Sequence, residues 1–149
     1  MSDFEEIKRA TGNVENSCAC NVCKNMCKTA PCIGTPDDML RIINNGHIAK
    51  VAPSIYMTAM VIENLGYPIN LAAPRRNDNG SCSFHTKDGL CEIHDIKPTE
   101  GNLVAHSTTG TFLTSANYLV SQTWLNPKNK SKIDKIFKAI ITYDKARKR

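Results

Sequence analysis

Hydrophobic positions recur at helical spacing at both ends of this chain and in its middle. Ile133, Ile136, Phe137, Ile140 and Tyr143, with lysines on the other side, predict an amphipathic helix that begins near Ser131. Tyr118, Leu119, Gln122 and Trp124 mark a helix over about 115–125, closed by Asn126-Pro127. At the other end, Ser2 followed three residues on by Glu5 reads as a capping box. It opens a short helix to about Ala10 that packs Phe4 and Ile7 onto the body and stops at Thr11-Gly12. Thr35-Pro36-Asp37-Asp38 is a further helix start: Thr35 caps, Pro36 takes the first helical position and the two acids suit the dipole. That helix runs to about Asn45, stops at Gly46 and buries Met39, Leu40, Ile42 and Ile43. Its first turn explains Asp37 and Asp38 better than a catalytic pair does.

Between 47 and 65 the pattern is apolar and mixed, and Pro53-Ser54 predicts another helix through Met57, Met60 and Val61, ended by Gly66-Tyr67-Pro68. Its methionines read as core. His47, just past a helix end, reads as a surface or charge-partner residue. Residues 69–73 read as a strand, followed by a polar, turn-rich loop from Arg75 to Gly80. Cys82 to Phe84 and Leu90 to His94 predict a hairpin closed by Lys87-Asp88-Gly89, which brings Cys82 and Cys91 together at its base. Alternation then turns His94 to the face opposite Cys91. The expected fold is a small α+β domain, mostly α. A metal-bound cysteine loop and a short β-hairpin are packed by several helices.

Cysteine placement changes the picture. Cys18, Cys20, Cys23, Cys27 and Cys32 fall within fifteen residues, whereas free cysteine is usually a scattered small hydrophobe. If 20–28 is helical, Cys20, Cys23 and Cys27 share one face, and Asn21, Lys24, Asn25 and Lys28 leave that face little else to bury. The amino terminus carries acids and has no apolar segment of the secretory kind, so a reducing cytoplasm is expected. There, seven cysteines favour thiolate ligation over disulfides, and an odd count would leave one thiol unpaired. The longest mostly apolar run, 56–62, is too short to span a bilayer, which takes about 20 residues.

Seven cysteines and one histidine make eight donors, enough for two tetrahedral zinc ions. His106 is the first choice for the eighth and His94 the second. Four thiolates equally suit iron or an iron–sulfur cluster. One or two zinc ions are favoured, because two converging thiol pairs make a closed structural site. A closed site leaves no open position for a substrate, which argues against hydrolytic zinc chemistry. No catalytic residue is singled out: Glu63, Glu92 and Glu100 have no visible partners, and no glycine-rich nucleotide loop or Ser-His-Asp set is present.

Charge adds one more element. From Lys128 to Arg149 nine Lys and Arg face only Asp134 and Asp144, a local +7 in a chain of net +5, which leaves the residues before it at −2. The chain therefore divides into a cysteine-cluster domain over 1–127 and a basic C-terminal helix over 128–149 packed on it. Lys145, Arg147, Lys148 and Arg149 are the candidates for a nucleic-acid or acidic-protein contact. The apolar stripe of the same helix needs a core to cover it, and the lysines then form its solvated face.

The C-x2-C-x3-C run of Cys20, Cys23 and Cys27, the segment Pro-Cys-x-Gly-Thr-Pro-x-Asp from Pro31, the pair Cys82 and Cys91 with Phe84, Gly89, Ile93 and His94 about it, and the following Lys97-Pro98-Thr99-Glu100-Gly101 resemble the YkgJ-type cysteine-cluster family. The similarity runs from about Cys18 to Trp124. It implies a cytoplasmic zinc- or iron-chelating domain, with iron–sulfur redox or methyl-transfer association as the enzymatic alternative. By position the resemblance puts ligands on Cys20, Cys23, Cys27, Cys82 and Cys91, with Cys18 and Cys32 matching a subgroup that has extra cysteines. That subgroup has an Arg where Asn102 stands here, and only His106 remains of its His pair.

Overall fold

Helices close around one apolar core, and the three shorter ones are capped at their starts by flanking side chains. The computed structural model describes residues 2–11, 33–85, 92–93 and 118–147. Helix α1 (Asp3–Thr11) starts where expected, with the Ser2 Oγ accepting a hydrogen bond from the Glu5 amide at 3.2 Å. Ile7 is buried and Phe4 packs beside it, as expected. Asp3 is buried as well. Its carboxylate accepts from Asn129 Nδ2 at 3.0 Å and pairs with the Lys128 ammonium at 2.8 Å, which fastens α1 to the turn that precedes the last helix. That hydrogen-bonded carboxylate holds the Lys128 pKa above its ordinary value.

Helix α2 (Pro36–Asn44) carries a complete capping box: Thr35 Oγ1 accepts from the Asp38 amide at 3.2 Å, and Asp38 Oδ2 accepts from the Thr35 amide at 2.9 Å. The acids of this turn are therefore structural. Asp38 also binds Arg41 at 2.9 Å, while Asp37 reaches across to Lys132 at 2.7 Å. Met39 and Ile42 are fully buried, and the chain leaves the helix through Gly46 with φ 90°. Such a φ favours glycine because it has no Cβ to clash.

After a 3-10 turn at Ile48–Lys50, the chain departs from the expected helix. Strand β1 (Val51–Tyr56) pairs antiparallel with β2 (Ile69–Pro74), from Val51 opposite Pro74 to Tyr56 opposite Ile69. Pro53 is thus a strand residue rather than a helix start. Among the described residues the sheet has two strands, so Pro53 can sit on an edge where its missing N–H costs no ladder bond, and Val51, Ile55 and Tyr56 suit extended backbone. The helix begins later, as α3 (Ala59–Leu65), where Thr58 Oγ1 accepts from the Val61 amide at 3.2 Å. It ends at Gly66 with φ 77°, as the sequence predicts. Strand β2 lies where expected and buries Ile69, Leu71, Ala72 and Ala73.

A second reversal closes over 75–83. The Ser83 amide donates to the Arg75 carbonyl at 2.8 Å, the Asn77 amide to Ser81 at 2.7 Å, and Arg76 bridges Cys82. Asn79-Gly80 lies in its turn, with Gly80 at φ 90°. Cys82 pairs backward to Arg76 and Ser83-Phe84 is a turn rather than extended strand, while Leu90, Cys91 and His94 of the expected second arm lie outside the described residues. Residues 86–91 lie outside the described residues. The Glu92 amide nevertheless donates to the Phe84 carbonyl at 2.7 Å, so the two arms do meet.

Residues 118–122 are helical, and a 3-10 turn at Pro127–Asn129 leads into α4 (Lys130–Arg147). Ile136 and Ile140 of α4 are buried in the same core as Met39, Ile42, Val51 and Leu71. The basic segment is part of this one domain, which is mostly helical with a two-stranded antiparallel sheet. Trp124 joins its layers. Its indole Nε1 donates to the Gly34 carbonyl at 2.8 Å, and its ring meets Phe137 edge-on at 6.3 Å.

Candidate metal centre

Of the cysteines singled out by spacing, Cys82 is the one the structure describes. Cys18, Cys20, Cys23, Cys27, Cys32 and Cys91 lie outside the described residues, as do His94 and His106. Among the described residues no three His, Cys, Asp or Glu side chains come together as a metal site.

The turn that carries Cys82 is closely pinned. Its carbonyl accepts from the His85 amide at 2.9 Å and from Asn77 Nδ2 at 3.2 Å, and Asn77 also binds Ser81 Oγ at 2.9 Å. Asn79 Oδ1 accepts from the Ser81 amide at 3.0 Å and from its hydroxyl at 2.7 Å. These bonds hold the backbone of 77–85 from both sides, and they leave Cys82 only 3% exposed. Asn, Gly and Ser supply such turns because their side chains bond local backbone and glycine accepts positive φ.

Phe84 forms the floor beside it and is fully buried. His47 meets that ring edge-on at 5.4 Å, and the Lys50 ammonium lies 5.4 Å from its centroid. Lys50 is also paired with the Glu92 carboxylate, so the cation beside this turn is neutralised. His47 is a half-buried packing residue rather than a surface one.

Sequence reasoning passed over His85. Its Nδ1 is buried and has no hydrogen-bond partner. The signal was present in the spacing, because Cys82-Ser83-Phe84-His85 is a C-x2-H run of the kind that ligand pairs use.

No family model, curated protein or solved structure matches this chain. Ile33, which follows Cys32, is buried together with Cys82, Phe84 and Ile93, the last lying two residues after Cys91. Gly34 is anchored to Trp124. Chain next to the early cysteine segment and chain next to the late pair thus belong to one core.

The basic candidates separate in the same way. Lys145 and Arg147 are exposed near the end of α4, where Arg147 approaches Asp144 at 3.6 Å and the Tyr143 ring at 5.7 Å; Lys148 and Arg149 lie outside the described residues. A shallow groove of about 550 Å³ beside the start of α4 carries Lys128, Lys130, Lys135 and Lys138, with Asp134 as its one acid. Among the described residues no helix is long and apolar enough to cross a membrane.

Proposed function

We propose that this chain is a metal-binding protein whose cysteines hold zinc, one or two ions, in a mainly structural site, and that it acts as a binding or structural module. The observation that carries this reading is the density of thiols in 18–32 combined with the burial of Cys82 in a core that also holds the neighbours of Cys32 and Cys91. Thiolates fit zinc, and four of them close its tetrahedron. Cys20, Cys23, Cys27, Cys82 and Cys91 would form the ligand set, with Cys18 and Cys32 in support. The resemblance to YkgJ-type cysteine-cluster domains favours the same set. A metal held this way cross-links the early loop to the 82–92 region and supplies folding free energy.

Elemental analysis with an absorption spectrum on protein purified without oxygen tests the reading. One or two zinc per chain without visible absorbance is the expected result. Iron with sulfide and broad thiolate-to-iron absorption would replace it with the iron–sulfur alternative, and redox or methyl-transfer assays would follow. Absence of both metals would end it.

The lysine-lined groove favours a second reading, in which the same domain contacts nucleic acid. Lys128, Lys130, Lys135 and Lys138 line one depression, although Lys128 is already engaged by Asp3. Phosphate neutralisation there would give salt-dependent, sequence-independent affinity. Reversing Lys130, Lys135, Lys138 and Lys145 to Glu should then abolish retention on immobilised RNA or DNA at low salt; unchanged retention removes this reading.

A further inference from the structure

The pinned turn at 82–85 carries more than a buried thiol. We propose that His85, through Nδ1, is the histidine donor of the cysteine-ligated metal site and that it acts with Cys82 as a C-x2-H pair; this inference rests on the metal-binding reading above. Cys82 is buried, and the His85 amide is bonded to its carbonyl at 2.9 Å, so both side chains leave one closed turn. Its register is fixed independently by the Ser83 amide on Arg75 and by Asn77 on the Cys82 carbonyl. Preorganised backbone of this kind is what a short ligand pair needs, because little further ordering is required when the metal binds.

His85 also presents an unmet demand. Buried polar atoms almost always have a partner, and an orphan points to a water, an ion or a ligand that completes it. Nδ1 is such an orphan. An imidazole nitrogen three residues from a buried thiol matches the donor types that zinc prefers. Lys50, which lies over the Phe84 ring, is paired with Glu92 and so does not oppose a second positive charge. Glu92 in turn returns the chain that follows Cys91 to the carbonyl of Phe84, between the two proposed donors.

His94 and His106 are the competing histidines, and the test separates all three. Ring 15N resonances of the full-length zinc-loaded protein report directly which nitrogen is metal-bound, and His85→Gln assigns the signal. The expected result is one histidine with a metal-shifted Nδ1 that is lost in His85→Gln and kept in His94→Ala and His106→Ala. Zinc retention against a competing chelator gives a second readout. Outer-shell partners alone are worth about 10–100-fold in metal affinity, so loss of this donor should weaken retention by at least about tenfold.

A His85 ring that titrates as a free imidazole in zinc-loaded wild type overturns the proposal without any variant having to fold. So does loss of the metal-shifted signal in His94→Ala or His106→Ala. Zinc bound with no histidine signal leaves the metal reading standing and removes only His85. Wild type that holds neither zinc nor iron removes both.

Discussion

If the cysteines hold zinc as proposed, chelation at neutral pH should abolish the cooperative thermal transition and shift the emission of Trp124 to that of a solvated indole. Structural zinc sites contribute on the order of 10–16 kcal/mol of apparent binding free energy at this pH, against a total stability of about 5–15 kcal/mol for an ordinary domain. Loss of the first is therefore as large as, or larger than, the whole of the second. The reporter is well placed, because Trp124 is the one tryptophan of the chain, only 5% exposed, and bonded to Gly34, two residues past Cys32. Calorimetry and fluorescence after metal removal, with zinc re-addition as the control, provide the measurement. A transition and an emission maximum that survive chelation would mean that the apolar core suffices and that the thiols serve another purpose.

Trp124→Ala should be the most damaging single substitution in the described core, costing about 3–5 kcal/mol by lost contacts and the cavity left behind. The ring touches Phe137 of α4 and its Nε1 satisfies the Gly34 carbonyl, so one side chain ties the chain before α2 to the last helix. Trp124→Phe separates the two contributions. It keeps much of the volume but leaves a buried carbonyl unpaired, a loss of about 1–3 kcal/mol. Urea unfolding of the variants, followed by circular dichroism, measures both. Adding Phe137→Ala completes a cycle whose coupling should be about 0.5–1.5 kcal/mol if the ring pair is as close as it stands here. Costs below about 1 kcal/mol for Trp124→Ala, set against the range above, would show that the join does not depend on this residue.

Elements specified by nearby residues are legible in the sequence itself. Ser2 with Glu5, and Thr35 with Asp38, announce helix starts because the cap and its partner lie three residues apart, within reach of each other's backbone. Gly66 announces a helix end for the same local reason. The stripe of Ile136 and Ile140 needs no partner to be recognised, since a 3.6-residue period is a property of one helix. Pro53 misleads because proline opens helices and also tolerates strand edges, and the choice between them belongs to β2, which lies far from it in sequence. His85 escapes notice for a similar reason. Its orphaned Nδ1 exists only once the surrounding core has closed over it.

What the sequence alone determined about this protein is its helical outline, its strand at 69–73, the basic last helix and the concentration of thiols in 18–32. All of these rest on periodicity, capping or composition within a short window. Only the tertiary structure decided that 51–56 is a strand and that Cys82 pairs backward with Arg76. It also decided that the basic helix shares one core with α2 and the sheet, and that the Nδ1 of His85 is buried without a partner. Those outcomes depend on contacts between residues distant in sequence, and burial is a property of the assembled fold, which no local window of residues encodes.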